Sequence, residues 1–139
     1  MTDKKAIARY FLVDAFSTGD LAPADAWVAP NFQNHDPSTP PLPQGPEGFK
    51  QLITGYRAAF PDIRMTLDDV LVEGDKVVGR WTAQGTNTGS LNGMPPTGKK
   101  ATISGISILT FVNGQVAEQR TNWDTLGMLQ QLGVIPKQG

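Results

Sequence analysis

Apolar residues recur at helical spacing through the first part of the chain and at alternate positions through the rest. Behind Thr2 or Asp3, either a suitable N-cap, Ile7, Tyr10, Phe11 and Ala15 form one stripe that Gly19 closes. Residues 20–28 predict a second, short helix with Pro23 in its first turn. Pro30, Pro37, Pro40, Pro41, Pro43 and Pro46 bar a long helix in the next segment and leave room for a short extended piece near Asn31–His35. The clearest helix runs from Pro46 to Phe60, where Phe49, Leu52, Ile53, Tyr56 and Phe60 share one face and Pro61 ends the run.

After Asp62 the period becomes two. Residues 63–73 and 76–88 read as strands joined at Gly74-Asp75, and residues 99–112 as a third long strand. The loop between them, Ser90–Gly98, is rich in Gly and Pro. Asn113-Gly114 is a strong hairpin turn into a fourth strand, on which Val116, Glu118, Arg120, Asn122 and Asp124 fall on one side. A short helix ending near Gly133 closes the pattern. Helices first and an antiparallel meander afterwards predict an α+β fold, a single domain over residues 1–139 with a curved sheet folded over the long helix.

Composition narrows the choice of function. Hydrophobic residues make up 39% and charged residues 18% of 139 residues, which suits a globular domain. The formal net charge is -1 with no basic stripe, so nucleic acid is not an expected partner. No apolar run approaches the roughly 20 residues needed to span a bilayer, no signal-peptide core opens the chain, and a cytoplasmic protein is the simplest expectation. With no cysteine and one histidine, thiolate chemistry and the common zinc sites are excluded, and no HExxH, calcium loop, Gly-rich phosphate motif or nucleophile elbow appears.

Asp124 stands where the last strand gives way to the last helix, beside Trp123. A carboxylate that removes a proton from carbon must sit where water does not compete, and Trp123 and Leu126 are apolar enough to shield one. Asp is equally a favoured N-cap, so both roles are open. His35, the lone histidine, lies in a proline-stiffened segment between Asn34 and Asp36; it is either a structural residue or one that shares a proton with Asp124. Arg120 and Asn122 join the Asp124 side of the strand, and Arg120 or Arg80 there would stabilise an enolate or merely form a surface ion pair. Asn87 either donates to an oxyanion or holds the end of a hairpin. Trp81, Tyr56 and Phe60 are aromatic candidates for a pocket wall as well as for the core.

Four stretches, RAAFPD (Arg57–Asp62), GRWTAQGTNTG (Gly79–Gly89), GMPPTGK (Gly93–Lys99) and WDTLGMLQQLG (Trp123–Gly133), resemble the SnoaL-like polyketide cyclases of the nuclear-transport-factor-2-like superfamily. The resemblance covers the chain from about Asn31 to Pro136. It implies an NTF2-like cone, a curved antiparallel sheet wrapped around N-terminal helices, with a deep apolar pocket and a homodimer or homotetramer formed through the outer face of the sheet. It also implies a small-molecule substrate and ring closure by intramolecular aldol condensation with no cofactor and no metal. In that setting Asp124, at the matching WD position, and His35, in the H-x-P position, carry the proton transfers, while Asn87, Arg120, Asn122, Trp81, Tyr56 and Phe60 bind substrate. This chain departs from the family pattern at Asn87, where many relatives read GTHTG, and at Glu118-Gln119-Arg120, where many read EHW. The departures imply a more polar pocket and a smaller or anionic substrate. Epoxide hydrolysis by paired carboxylates with Arg80 or Arg120, and a non-catalytic ligand-binding module, are the alternatives the superfamily offers.

Overall fold

A computed structural model describes residues 3–136. The N-terminal helical stretch runs through α1 (Lys4–Arg9), a π-helical segment (Tyr10–Asp14) and α2 (Ala15–Thr18). Asp3 caps it by accepting from the Ala6 amide, and Gly19 closes it at φ 75°. Thr2, the other candidate cap, lies outside the described residues. A single helical turn, α3 (Ala24–Trp27), follows directly after Pro23. The long helix α4 (Pro46–Ala59) has proline in its first turn, and Phe49, Leu52 and Ile53 are buried on its expected face.

The sheet has five strands, β1 (Val28–His35), β2 (Arg64–Glu73), β3 (Lys76–Thr86), β4 (Lys100–Val112) and β5 (Gln115–Trp123), in the order β1-β5-β4-β3-β2. Strands β2 to β5 form the predicted antiparallel meander, closed between β4 and β5 by Asn113 and Gly114, both at positive φ, as a primed hairpin turn requires. The short extended piece expected near Asn31–His35 is longer than predicted. As β1 it pairs in parallel with β5, more than 80 residues away in sequence, and Asn34 lies beside Gln119. The helices cover the concave face. Phe11, Phe32 and Phe49 pack there against one another, with ring centroids 4.6–6.2 Å apart.

One irregularity sets the chemistry of that concave face. On β5, Val116 pairs with Phe111 and Glu118 with Thr110, so Ala117 is an extra residue without a partner of its own. Such a bulge reverses which side chains point inward beyond it. Val116 is buried, but past the bulge it is Gln119 and Thr121 that are buried, while Arg120 and Asn122 are exposed.

Candidate active site

Between the helices and the sheet lies a cavity of about 90 Å³. Each water needs about 10–15 Å³ on this measure, so the space takes several waters or one small ring. Leu12, Phe16, Leu52, Phe60 and Ile63 form much of its apolar wall, and Trp81, Ala83 and Ile103 its sheet floor. Polar side chains come from the β1–β5–β4 end: Asn34, Asp36, Ser107, Gln119 and Thr121. A second, outer space of about 170 Å³ lies against Leu91, Met94 and Leu129, and Tyr56, Trp123 and Met128 line both. These three side chains therefore stand between the two chambers.

Three of the eight expected site residues reach this cavity. Trp81 is 7% exposed and gives its indole N–H to Ser107 Oγ at 3.0 Å; Gly105, directly across on β4, leaves the room its ring occupies. Phe60 and Tyr56 project from the C-terminal end of α4. Burial raises the Tyr56 phenol above its usual value, against an opposing contribution from its hydrogen bond with Thr39, and the Asp36 charge raises it further. The hydroxyl therefore keeps its proton at neutral pH.

The structure places the other five away from this cavity. Asp124, expected in a dry hollow, is exposed and caps α5 (Thr125–Gln131) by accepting from the Gly127 amide at 2.8 Å. The cap role, one of the two open to it, is the one its placement supports. Arg120 and Asn122 lie on the outer face because of the bulge at Ala117, and Arg120 pairs there with Glu118 at 2.9 Å. His35, one residue out of phase with inward Asn34 and Asp36, sits 3.6 Å from Glu118 on that same side. Asn87 is wholly buried but not at the cavity. It donates to the carbonyls of Ala59 and Gly89 and accepts from the amide and hydroxyl of Thr97, which uses its full hydrogen-bonding capacity. It fastens the loop ahead of β4 to the end of α4.

Asp36 is the carboxylate that does face the cavity, and sequence reasoning passed over it as a neighbour of His35. It begins a turn, Asp36-Pro37-Ser38-Thr39, with proline at the second position. Its Oδ1 accepts from the Ser38 amide at 2.8 Å, and its Oδ2 accepts from Trp123 Nε1 at 2.9 Å and Thr39 Oγ1 at 3.0 Å. Three of about four acceptor positions are filled, which fixes the group and leaves one for a ligand. Thr39 spends its only proton on Asp36, so at 3.2 Å it accepts from the Tyr56 hydroxyl. A relay Tyr56–Thr39–Asp36 thus ends at the wall between the chambers. The available signal was the alternation Phe32, Asn34, Asp36 along an extended segment that ends in a turn.

Among the described lining residues Asp36 is the only carboxylate and none is cationic, so the cavity lacks the paired carboxylates and arginine of the epoxide reading and has no counterion for an anionic substrate. Arg80 lies on the outer face, paired with Asp69 at 2.8 Å. No group of three or more potential metal-ligating His, Cys, Asp or Glu side chains occurs among the described residues, and no helix among them is long and apolar enough to cross a membrane.

Comparison with known proteins agrees with this architecture. The family described as SnoaL-like polyketide cyclase matches residues 6–132. Nogalonic acid methyl ester cyclase of Streptomyces nogalater is 31% identical over 124 residues, covering 88% of this chain and 92% of the relative. Aklanonic acid methyl ester cyclase DauD of Streptomyces sp. (strain C5) is 28% identical over 129 residues, covering 88% and 77%. Among solved structures, TsrD from Streptomyces laurentii superposes with a TM-score of 0.85 at 30% identity, covering 95% of this chain and 96% of that one. IdmH from Streptomyces antibioticus gives 0.76 at 31%, covering 94% and 97%.

Proposed function

The chain belongs to the SnoaL-like polyketide cyclase family, and from that premise we propose that it closes a ring in a polyketide-like carbonyl compound by intramolecular aldol chemistry, using side-chain acid/base groups and no cofactor. The observation that carries this reading is the fixed, inward-facing Asp36 joined through Thr39 to a protonated Tyr56.

Asp36, rather than the solvent-exposed Asp124, takes a proton from a carbon flanked by carbonyls. The electron pair passes to a carbonyl oxygen, and the Tyr56 hydroxyl, turning from Thr39, donates a hydrogen bond to the enolate. The carbon then attacks a second carbonyl of the same molecule, forming the ring C–C bond. The resulting alkoxide recovers the proton from Asp36, so the carboxylate is regenerated and the product is an isomer of the substrate. Apolar walls exclude water from the enolate, and the outer chamber holds whatever part of the molecule exceeds the inner one.

The named relatives make nogalonic and aklanonic acid methyl esters the first substrates to try. With nogalonic acid methyl ester in deuterated water, ring closure and α-carbon deuterium uptake are both followed by NMR. Wild-type protein catalyses both, Asp36→Asn neither, and deuterium uptake unaffected by that substitution refutes the assignment. The same reading includes a cytoplasmic homodimer or homotetramer. Leu71, Ile106 and Val112, exposed apolar side chains of β2 and β4, support association through the sheet.

A further inference from the structure

Two buried side-chain atoms among the described residues have no hydrogen-bond partner, Asn34 Oδ1 and Gln119 Oε1. Their residues are register neighbours on β1 and β5, both line the inner cavity, and Gln119 is only 4% exposed. Buried carbonyl oxygens are seldom left unpaired, because the lost hydration is not returned. Two such atoms side by side at a cavity wall mark a place where a ligand supplies the donor.

The neighbouring groups narrow the ligand further. Trp81 Nε1 donates to Ser107 Oγ at 3.0 Å, and Gln119 Nε2 donates to Thr121 Oγ1 at 3.2 Å. Ser107 Oγ and Thr121 Oγ1 lie 2.7 Å apart and share one proton. Two hydroxyls hold two protons, so a single proton is left over to donate. The polar end of the cavity therefore offers two unpaired acceptors beside one hydroxyl proton and the remaining amide N–H groups of Asn34 and Gln119, all neutral. A carboxylate would meet two carbonyl oxygens and be repelled. A ketone would take one of these donors and leave both acceptors empty. A hydroxyl matches the set.

We propose that Gln119 and Asn34 form a subsite that reads a neutral hydroxyl, phenolic or enolic, at the leading end of the ligand. The inference rests on the cavity being the ligand site, as the proposed function holds, but not on the chemistry assigned to Asp36. Binding without turnover tests it. Wild-type protein, Gln119→Met and Asn34→Leu are titrated with phenol, toluene and acetophenone, followed by NMR shifts of residues lining the cavity.

Wild type is expected to bind phenol, and the phenol-to-toluene affinity ratio is expected to fall about tenfold in Gln119→Met, the loss that goes with one hydrogen bond to a buried group. Asn34→Leu should lower the same ratio, and it carries the test alone if Gln119→Met does not fold. Acetophenone should be insensitive to either change. The proposal is overturned if wild type takes toluene and not phenol, if none of the probes binds, or if the ratio is unchanged in both variants. A preserved ratio together with loss of ring closure in Asp36→Asn would sink this subsite while leaving the catalytic reading intact.

Discussion

Replacing Asp36 by Asn separates the chemical role of the carboxyl group from its structural one. The amide has nearly the same shape, so Oδ1 still accepts from the Ser38 amide. At the other position an NH2 group replaces Oδ2 and faces two donors, Trp123 Nε1 and Thr39 Oγ1. The threonine hydroxyl can turn round and accept, which reverses the relay from Tyr56. The indole N–H cannot, because it is a donor only. One half-buried donor is left unpaired, at a cost of ~1–3 kcal/mol in stability. Loss of a positioned base costs about 10²–10⁴ in rate, far more than a partly unfolded population would explain. The assay measures α-proton exchange and ring closure per folded molecule, with urea unfolding run in parallel. A variant that is destabilised by the stated amount yet exchanges α-protons at the parental rate would show Asp36 to be only a turn-forming residue.

Asp124→Ala provides the contrast: loss of the cap should lower stability by ~1 kcal/mol in urea unfolding and leave turnover per folded molecule unchanged. Asn87→Ala strips partners from Gly89 O and the Thr97 amide in a fully buried place, and should cost ~2–4 kcal/mol by the same measurement. The Tyr10 phenol is pushed up to about 12 by burial and by nearby Asp20 and Asp25. The folded state then holds a proton that the unfolded chain loses near pH 10, so stability should fall as pH rises from about 10 to about 12. Tyr10→Phe should remove that slope from urea midpoints collected across the interval.

Much of the fold was legible because it rests on local chemistry. The face Phe49-Leu52-Ile53 needs only helical spacing, and the Asn113-Gly114 turn only the tolerance of those residues for positive φ. Strand β1 was underestimated because its partner is β5, and nothing local announces a parallel pairing with a segment so distant. The site was less legible for a sharper reason. Alternation correctly grouped Arg120 and Asn122, but inward Val116 does not share their side once Ala117 adds its extra residue. Asn87 was a fair candidate by residue type, and its four internal partners become visible only when α4 and the loop ahead of β4 meet.

The Ala117 bulge also governs how this scaffold can diversify. Excising that one peptide unit while keeping the β5 turn in register would invert the remaining half of the strand. The Arg120 guanidinium and the Asn122 amide would then enter the hollow, and Gln119 and Thr121 would turn toward bulk solvent. Ligand preference here is thus adjustable by a single-codon deletion as well as by point substitution, and length variation at this spot is a place to look when related chains of equal fold prefer ligands of opposite polarity.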